Sequence, residues 1–163
     1  MELRVHVSAE DCLELAGTRV GADFREWLTF TESGRWSMPQ VAVQVVRGRA
    51  SPVSSWPGAE LGRYPTRIDV GGAALYWDAP ESEDGEVSIE GLVRLNRIDA
   101  PPRFPNSVGR VQQIWTARSE PSAAGGFEDH TGLPPLGQVW HAGSELMNAG
   151  WAGAILDVEL IDR

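Results

Sequence analysis

The sequence contains no lysine, because all 14 of its basic residues are arginine. This absence excludes a phosphate-binding loop that ends in lysine and catalysis through a lysine Schiff base. Arginine codons are rich in guanine and cytosine and lysine codons are not, so the composition indicates a high-GC, bacterial genome. Arginine also makes better bidentate ion pairs than lysine, but selection for ion pairs alone does not explain the loss of every lysine.

Cysteine is nearly absent as well, with Cys12 the single one in the chain. One cysteine excludes an internal disulfide and a zinc site of several cysteines, and this usage is typical of a reducing compartment. We interpret Cys12 as a small side chain buried in a helical turn.

The first residues lack the apolar run of a signal peptide, and no stretch is apolar enough to span a bilayer. We therefore predict a cytoplasmic protein with no membrane partner.

Positive charge is scarce overall, since the formal net charge is −9. This argues against nonspecific binding to nucleic acid, which requires cations that displace counterions. Acidic side chains crowd residues 78–90, whereas residues 91–118 are rich in arginine. We interpret the basic segment as facing the acidic one across a sheet rather than as an anion-binding patch. The acidic balance favours a protein partner with a basic patch, which electrostatic attraction would steer towards the chain.

Apolar and polar residues alternate in several short runs, and a period of two is typical of half-buried strands. The main runs lie at residues 2–8, 38–47, 86–98 and 151–161. Glycine and proline fall mostly between the runs, and no window of about ten residues keeps the apolar stripe of a helix. The pattern predicts a mostly β chain. We expect one antiparallel β-barrel or β-sandwich domain over residues 1–163, with about seven to nine strands.

The same alternation predicts which side chains face the core and where helix is confined. In the last run, Leu156 and Val158 should face inward and Asp157 outward. One or two short helical turns are predicted at residues 10–15 and 144–149. Ser8 lies three residues before an aspartate, a spacing that is typical of a cap at the start of the first turn.

The centre of the predicted sheet is an antiparallel pair formed by residues 86–98 and 108–118. The second strand breaks the alternation at Ile114. This indicates a β-bulge near Gln112 and Gln113 or burial on both faces.

Two glycine-rich stretches predict connections between strands. The Gly-Gly pair at 71–72 separates two short apolar runs and predicts a hairpin turn. Residues 48–65 are rich in glycine, proline and serine and predict a long loop, which is uncommon in a compact domain unless it is functional. Trp56 is the predicted anchor of this loop.

Seven tryptophans are a high number for 163 residues, and most should fill the core. Trp36, Trp56 and Trp140 lie next to predicted turns or loops, so they are the ones expected at the surface. Exposed aromatic side chains with a polar rim are typical of binding surfaces. We therefore take these three, with His141 beside Trp140, as candidate residues for binding a ligand or partner.

A glycine-flanked segment brings together Glu128, Asp129 and His130. Glu128 and His130 could ligate a metal if His141 lies beside them, or His130 could act as a general base held by Asp129. A solvated turn, in which Asp129 bonds its own backbone, is the interpretation we adopt. We therefore predict no metal and no cofactor.

These observations favour a binding or accessory domain that acts through protein or small-ligand contacts. The chain lacks the Gly-x-Ser-x-Gly turn that positions a nucleophilic serine. The alternative is a small hydrolase or isomerase that uses the loop at residues 128–130.

Short motifs along the chain also suggest a relationship to other proteins. The motifs are Val5-x-Val7 with Asp11 and Gly17, Gly21 with Trp27-Leu28, Gly91-Leu92-Val93-Arg94, and Gly153-Ala154-Ile155-Leu156-Asp157-Val158. In these motifs the chain resembles an actinobacterial family of small β domains of unknown function. The resemblance implies a β fold, and it implies no known activity and no functional residues.

Overall fold

The computed structural model describes residues 1–8, 11, 15, 18–35, 42–96, 100–118 and 151–161. Within these ranges the chain forms nine strands and has no helix long and apolar enough to cross a bilayer. The strands are β1 (Glu2–Val7), β2 (Asp23–Glu26), β3 (Leu28–Glu32), β4 (Val43–Pro52), β5 (Tyr64–Val70), β6 (Ala73–Ala79), β7 (Gly85–Leu95), β8 (Ser107–Arg118) and β9 (Trp151–Leu160). The predicted mostly β class is confirmed.

Five of the strands close into a barrel in the order β7-β3-β6-β5-β4, because β4 also pairs with β7. The β3–β6 pair is parallel, and the other four pairs are antiparallel. Closure removes the open edges that a flat sheet would have. Alternate apolar side chains fill the interior, among them Phe30, Val46, Ile68, Leu75 and Trp77.

The other four strands extend the sheet from β7 in the order β2-β8-β9-β1-β7. β9 lies between β1 and β8 and is antiparallel to both. Leu156 and Val158 of β9 are fully buried, which confirms the predicted inward face. Their side chains belong to the same apolar cluster as the barrel interior, so one core serves the whole sheet.

Strand β7 changes neighbours close to Leu92. Leu92 pairs with Val43 of β4, and two residues later Arg94 pairs with His6 of β1. β4 and β1 therefore follow one another along the same edge of β7.

Gln44 joins β4 to β1 where these two strands diverge. The oxygen of its side-chain amide accepts a hydrogen bond of 3.1 Å from the backbone N–H of Arg4. The nitrogen of the same amide donates to the carbonyl oxygen of Arg4. Backbone groups need partners wherever a ladder ends, and the amide of Gln44 supplies both partners for Arg4.

The predicted pairing of residues 86–98 with residues 108–118 is wrong. Both segments contain strands, but β1 and β9 lie between β7 and β8. The described part of the connection and the start of β8 pack against the barrel. Phe104 meets the ring of Tyr76 edge-on at a centroid distance of 5.9 Å, and the Ser107 hydroxyl makes two 3.1 Å hydrogen bonds to the backbone of β6.

Three local predictions are confirmed. The β8–β9 register shifts between Val111 and Gln113, which is the expected bulge. The glycines at 71–72 join β5 to β6 with φ values of 46° and 90°, as a tight hairpin with positive φ at both turn residues requires. The Ser8 hydroxyl accepts a 3.1 Å hydrogen bond from the N–H of Asp11, as a helix cap does.

The long loop predicted at residues 48–65 is wrong in extent. β4 continues to Pro52 and β5 begins at Tyr64, so the loop covers only residues 53–63. Gly48 lies within β4, at a point where β5 comes very close. A Cβ atom there would come 2.2 Å from the carbonyl oxygen of Asp69 on β5, so a larger residue would not fit. This glycine permits close approach of two strands, which local sequence does not distinguish from a loop glycine.

Candidate functional site

A row of polar side chains crosses the outside of the barrel on three adjacent strands. Thr29 of β3 pairs with Tyr76 of β6 on one side and with Arg94 of β7 on the other. Neighbouring residues such as Trp77 and Val93 are buried in the core. Because side chains alternate between faces along a strand, the row points away from the core.

This row forms one side of a cavity of about 290 Å³. The opposite side is built from the loop at residues 53–63, which contributes Trp56, Gly58 and Glu60. The volume lies just below the range of roughly 300–1,000 Å³ that is typical of small-molecule pockets. The cavity therefore has room only for a small ligand.

Hydrogen bonds connect the loop to the strands within the cavity wall. The indole N–H of Trp56 donates to the hydroxyl oxygen of Tyr76 at 2.9 Å, and the Tyr76 hydroxyl donates to Oδ1 of Asp78 at 2.6 Å. The backbone N–H of Glu60 donates to the same carboxylate oxygen at 3.3 Å. Burial raises the pKa of Tyr76, and the hydrogen bond to Asp78 raises it further. Tyr76 therefore stays a neutral donor at physiological pH.

The indole of Trp56 is held in place from two sides. Its ring meets Tyr76 edge-on at a centroid distance of 5.7 Å. On the other side it lies against the backbone of Gly58, where a Cβ atom would come 2.2 Å from Cη2 of the indole. Any side chain at Gly58 would therefore displace the ring. The prediction that Trp56 anchors its loop is supported by these contacts.

Arg63 fastens the far end of the same loop to the barrel. Its Nε donates to the carbonyl oxygen of Asp78 at 2.8 Å, and its guanidinium also pairs with the carboxylate of Glu32. Glu32 accepts a second hydrogen bond, of 2.8 Å, from the indole N–H of Trp77. Burial raises the pKa of Glu32, but hydrogen bonds from Trp77 and Arg63 outweigh burial and bring the pKa below its ordinary value.

We expect Glu32 to make stability depend on pH in the acid range. Its folded-state pKa is lowered, so its contribution is present above the unfolded-state pKa and is lost as pH falls through the folded-state pKa. Glu32→Gln should lower the free energy of unfolding at neutral pH. The difference in this free energy between variant and wild type should narrow below pH 4.5, the ordinary pKa of a glutamate side chain. Urea unfolding at a series of pH values measures this.

Glu81→Gln, at an exposed residue of the acidic turn, serves as the control for removal of one negative charge. A difference between wild type and Glu32→Gln that stays constant from neutral to acid pH would contradict the assigned role of Glu32.

The charges around the cavity come from two arginines and two carboxylates. Arg35 pairs with Glu60, and both line the cavity with Arg94 and Asp78. Arg94 is exposed and makes no ion pair within the described ranges. The site is therefore formally neutral and offers both donors and acceptors to a ligand.

The predicted pairing of acidic residues 78–90 with basic residues 91–118 is not seen among the described residues: Asp78 and Arg94 line the same cavity, but β3 lies between their strands and no ion pair joins them. On the barrel surface, Glu86 of the acidic segment instead lies directly opposite Arg49 of β4. Strand order explains this difference, because β4 is the neighbour of the first half of β7 and β8 is not.

Of the predicted site residues, Trp56 lies in the cavity wall. Trp36, Trp140 and His141 lie outside the described residues. The same holds for the loop formed by Glu128, Asp129 and His130, which carried the alternative enzymatic interpretation. In the part of the chain that the structure describes, no three His, Cys, Asp or Glu side chains come together as a metal site.

Three residues of the cavity wall, Thr29, Tyr76 and Asp78, were not predicted from the sequence as site residues. Alternation can place these side chains on outward faces. It does not show that β3 lies between β6 and β7, and that order is what brings them together.

The chain matches no protein-family model, no curated protein and no solved structure. The resemblance to an actinobacterial family therefore stays a prediction, and function has to be argued from the cavity.

Proposed function

We propose that the protein is a non-catalytic binding domain that holds a small ligand in the cavity beside Trp56. The observation that carries this proposal is the cavity itself, with the aromatic rings of Trp56 and Tyr76 and hydrogen-bonding groups of both kinds in its wall. The wall of this cavity is more polar than that of most small-ligand sites, so hydrogen bonds rather than apolar burial would hold the ligand.

The surroundings of the cavity support binding by a preformed site. One side belongs to a closed barrel, and the other side is a loop fixed by Trp56 and by Arg63. A site that is held before the ligand arrives loses less conformational freedom on binding and so gains affinity.

A protein partner with a basic patch is the second candidate that the acidic composition suggests. The surface favours it less, because arginines are mixed among the acids. Arg49 lies opposite Glu86, and Arg47 lies opposite Ser88, on the same exposed face of β4 and β7. A basic partner would meet cations as well as carboxylates on this face, which weakens electrostatic steering.

The direct test is an NMR screen of the ¹⁵N-labelled protein against a library of small metabolites. A ligand of the cavity should shift the indole N–H signal of Trp56 and the amide signals of Thr29 and Arg94 together, and the shifts should saturate. A library in which no compound shifts these signals would overturn the proposal.

Gly58→Ala should abolish binding of any such ligand while changing the melting temperature little. The added methyl group displaces the indole of Trp56, which is half-buried and lies on a surface loop. Titration of the variant by NMR or calorimetry measures the loss.

Gly62→Ala in the same loop is the matched control. Gly62 has a φ of 79°, and a Cβ atom there has nothing within 4 Å. The Gly62→Ala substitution therefore strains the loop without touching the indole of Trp56, and ligand binding should persist. Equal loss of binding in both variants would show that loop stability, rather than the position of Trp56, decides affinity.

A further inference from the structure

The balance of charge in the cavity restricts the kind of ligand it can hold. Arg35 and Glu60 neutralise each other as an ion pair, which leaves Arg94 and Asp78 as the second pair of opposite charges in the wall. A charged ligand would meet one repulsive group together with each attractive one. A neutral ligand avoids this repulsion.

The hydrogen-bonding groups of Asp78 and Arg94 are complementary. Oδ1 of Asp78 already accepts from Tyr76 and from the backbone of Glu60, and Oδ2 has no hydrogen bond among the described residues. The guanidinium of Arg94 can only donate and the carboxylate of Asp78 can only accept. A hydroxyl group does both, so a ligand with several hydroxyls satisfies both ends of the site.

The spacing of the strands sets the span between these two ends. Asp78 lies on β6 and Arg94 on β7, and β3 lies between them. Adjacent strands are about 4.8 Å apart, which separates β6 from β7 by roughly 10 Å. Tyr76 is the residue of β6 level with Arg94, and Asp78 lies two residues further along, so the two anchor points are roughly 12 Å apart. A ring that carries hydroxyls on opposite sides can bridge two side chains anchored at this separation.

The indole of Trp56 provides an apolar surface for the ligand ring. Its N–H is already bonded to Tyr76, so what it adds to the cavity is carbon surface. Sugar and cyclitol rings present C–H groups between their hydroxyls, and these pack favourably against aromatic carbon. A cavity of about 290 Å³ suits one ring and not a chain of rings.

We propose that the cavity binds a neutral cyclic polyol, which is a single sugar ring or a cyclitol. This inference rests on the proposed function and names the chemical class of its ligand. Asp78 accepts from ligand hydroxyls, Arg94 donates to them, and Trp56 covers the C–H surface of the ring.

An NMR titration with matched ligands tests the ligand class. The neutral probes are glucose, galactose, ribose and myo-inositol, and the charged probes are glucuronate and glucosamine. At least one neutral probe should shift the Trp56 indole signal saturably. The charged probes should bind about tenfold more weakly than that compound, because each introduces an uncompensated charge.

Substitutions on both sides of the cavity test the assigned contacts. Asp78→Asn and Arg94→Gln should each weaken binding of the best neutral probe by about tenfold, the effect of losing one or two hydrogen bonds. Asp69→Asn and Arg110→Gln, at residues outside the cavity wall, are the matched controls and should leave affinity unchanged.

Each contrary outcome overturns a defined part of the account. Tighter binding of glucuronate or glucosamine than of every neutral probe overturns the ligand class. Saturable binding of another metabolite at Trp56, with no response to any polyol, overturns the ligand class and leaves the proposed function standing. No response at Trp56 to any compound overturns both.

Discussion

Asp157→Ala is expected to lower the free energy of unfolding by about 3 kcal/mol, because it removes a buried carboxylate that accepts three charge-assisted hydrogen bonds. The carboxylate holds Arg4 through two hydrogen bonds, of 2.7 and 3.1 Å, and accepts a third, of 2.8 Å, from the indole N–H of Trp115. These contacts connect the outer faces of β8, β9 and β1. In a chain of this length the loss corresponds to about 10 °C in melting temperature, which thermal unfolding followed by circular dichroism measures.

Asp69→Ala is the control for Asp157→Ala. Asp69 also pairs with an arginine, Arg67, and the two arginines Arg4 and Arg67 are equally exposed, at 39%, but the carboxylate side chain is 47% exposed in Asp69 and 7% in Asp157. Exposed pairs of this kind contribute roughly 0–1 kcal/mol. Equal effects of the two substitutions would show that burial does not strengthen the Asp157 network.

Gly153→Ala is expected to destabilise the protein by about 4 kcal/mol, since backbone strain and a steric clash act together. Gly153 has a φ of 121°, and a Cβ atom there would come 2.0 Å from the carbonyl oxygen of Val7. That oxygen belongs to β1, so β9 would have to move away from β1. Domains of this kind have a total stability of only about 5–15 kcal/mol, so low yield of folded protein is the expected result.

Gly21→Ala separates the two causes. Gly21 also has a positive φ, of 86°, but nothing lies within 4 Å of a Cβ atom built there. We expect Gly21→Ala to lower the free energy of unfolding by the conformational strain alone, about 1–2 kcal/mol. Chemical denaturation of both variants gives the difference, and a Gly153→Ala variant no less stable than Gly21→Ala would contradict the clash.

Features decided by neighbouring residues could be predicted from the sequence. The period of two predicted the strands, the glycines at 71–72 predicted the hairpin, and the broken alternation at Ile114 indicated either the bulge that is found or burial on both faces. Each depends on backbone conformation or on which face is apolar, and local sequence carries that information.

Strand order could not be predicted, because it depends on contacts between residues far apart in the chain. β9 inserts beside β8 and β1 although more than 30 residues separate it from β8 in sequence. Adjacent valines show the same limit on a smaller scale. Val46 is buried in the barrel and Val45 is half-exposed, and nothing local distinguishes them.

Outward-facing positions were identified correctly, but their environment was not. Asp157 lies on the outer face, as predicted, yet it is only 5% exposed because Trp115 and Arg4 cover it. The same limit applies to the candidate site. Alternation placed Arg94 on a polar face, and only the barrel brings it to the same cavity as Trp56 and Asp78.

The measurement that tests the central claim most directly is a crystal structure of the protein with the tightest ligand from the NMR titrations. The account predicts that the ligand lies against the indole of Trp56, within hydrogen-bonding distance of Asp78 and Arg94. A ligand bound at another surface, with only water in the cavity beside Trp56, would contradict it.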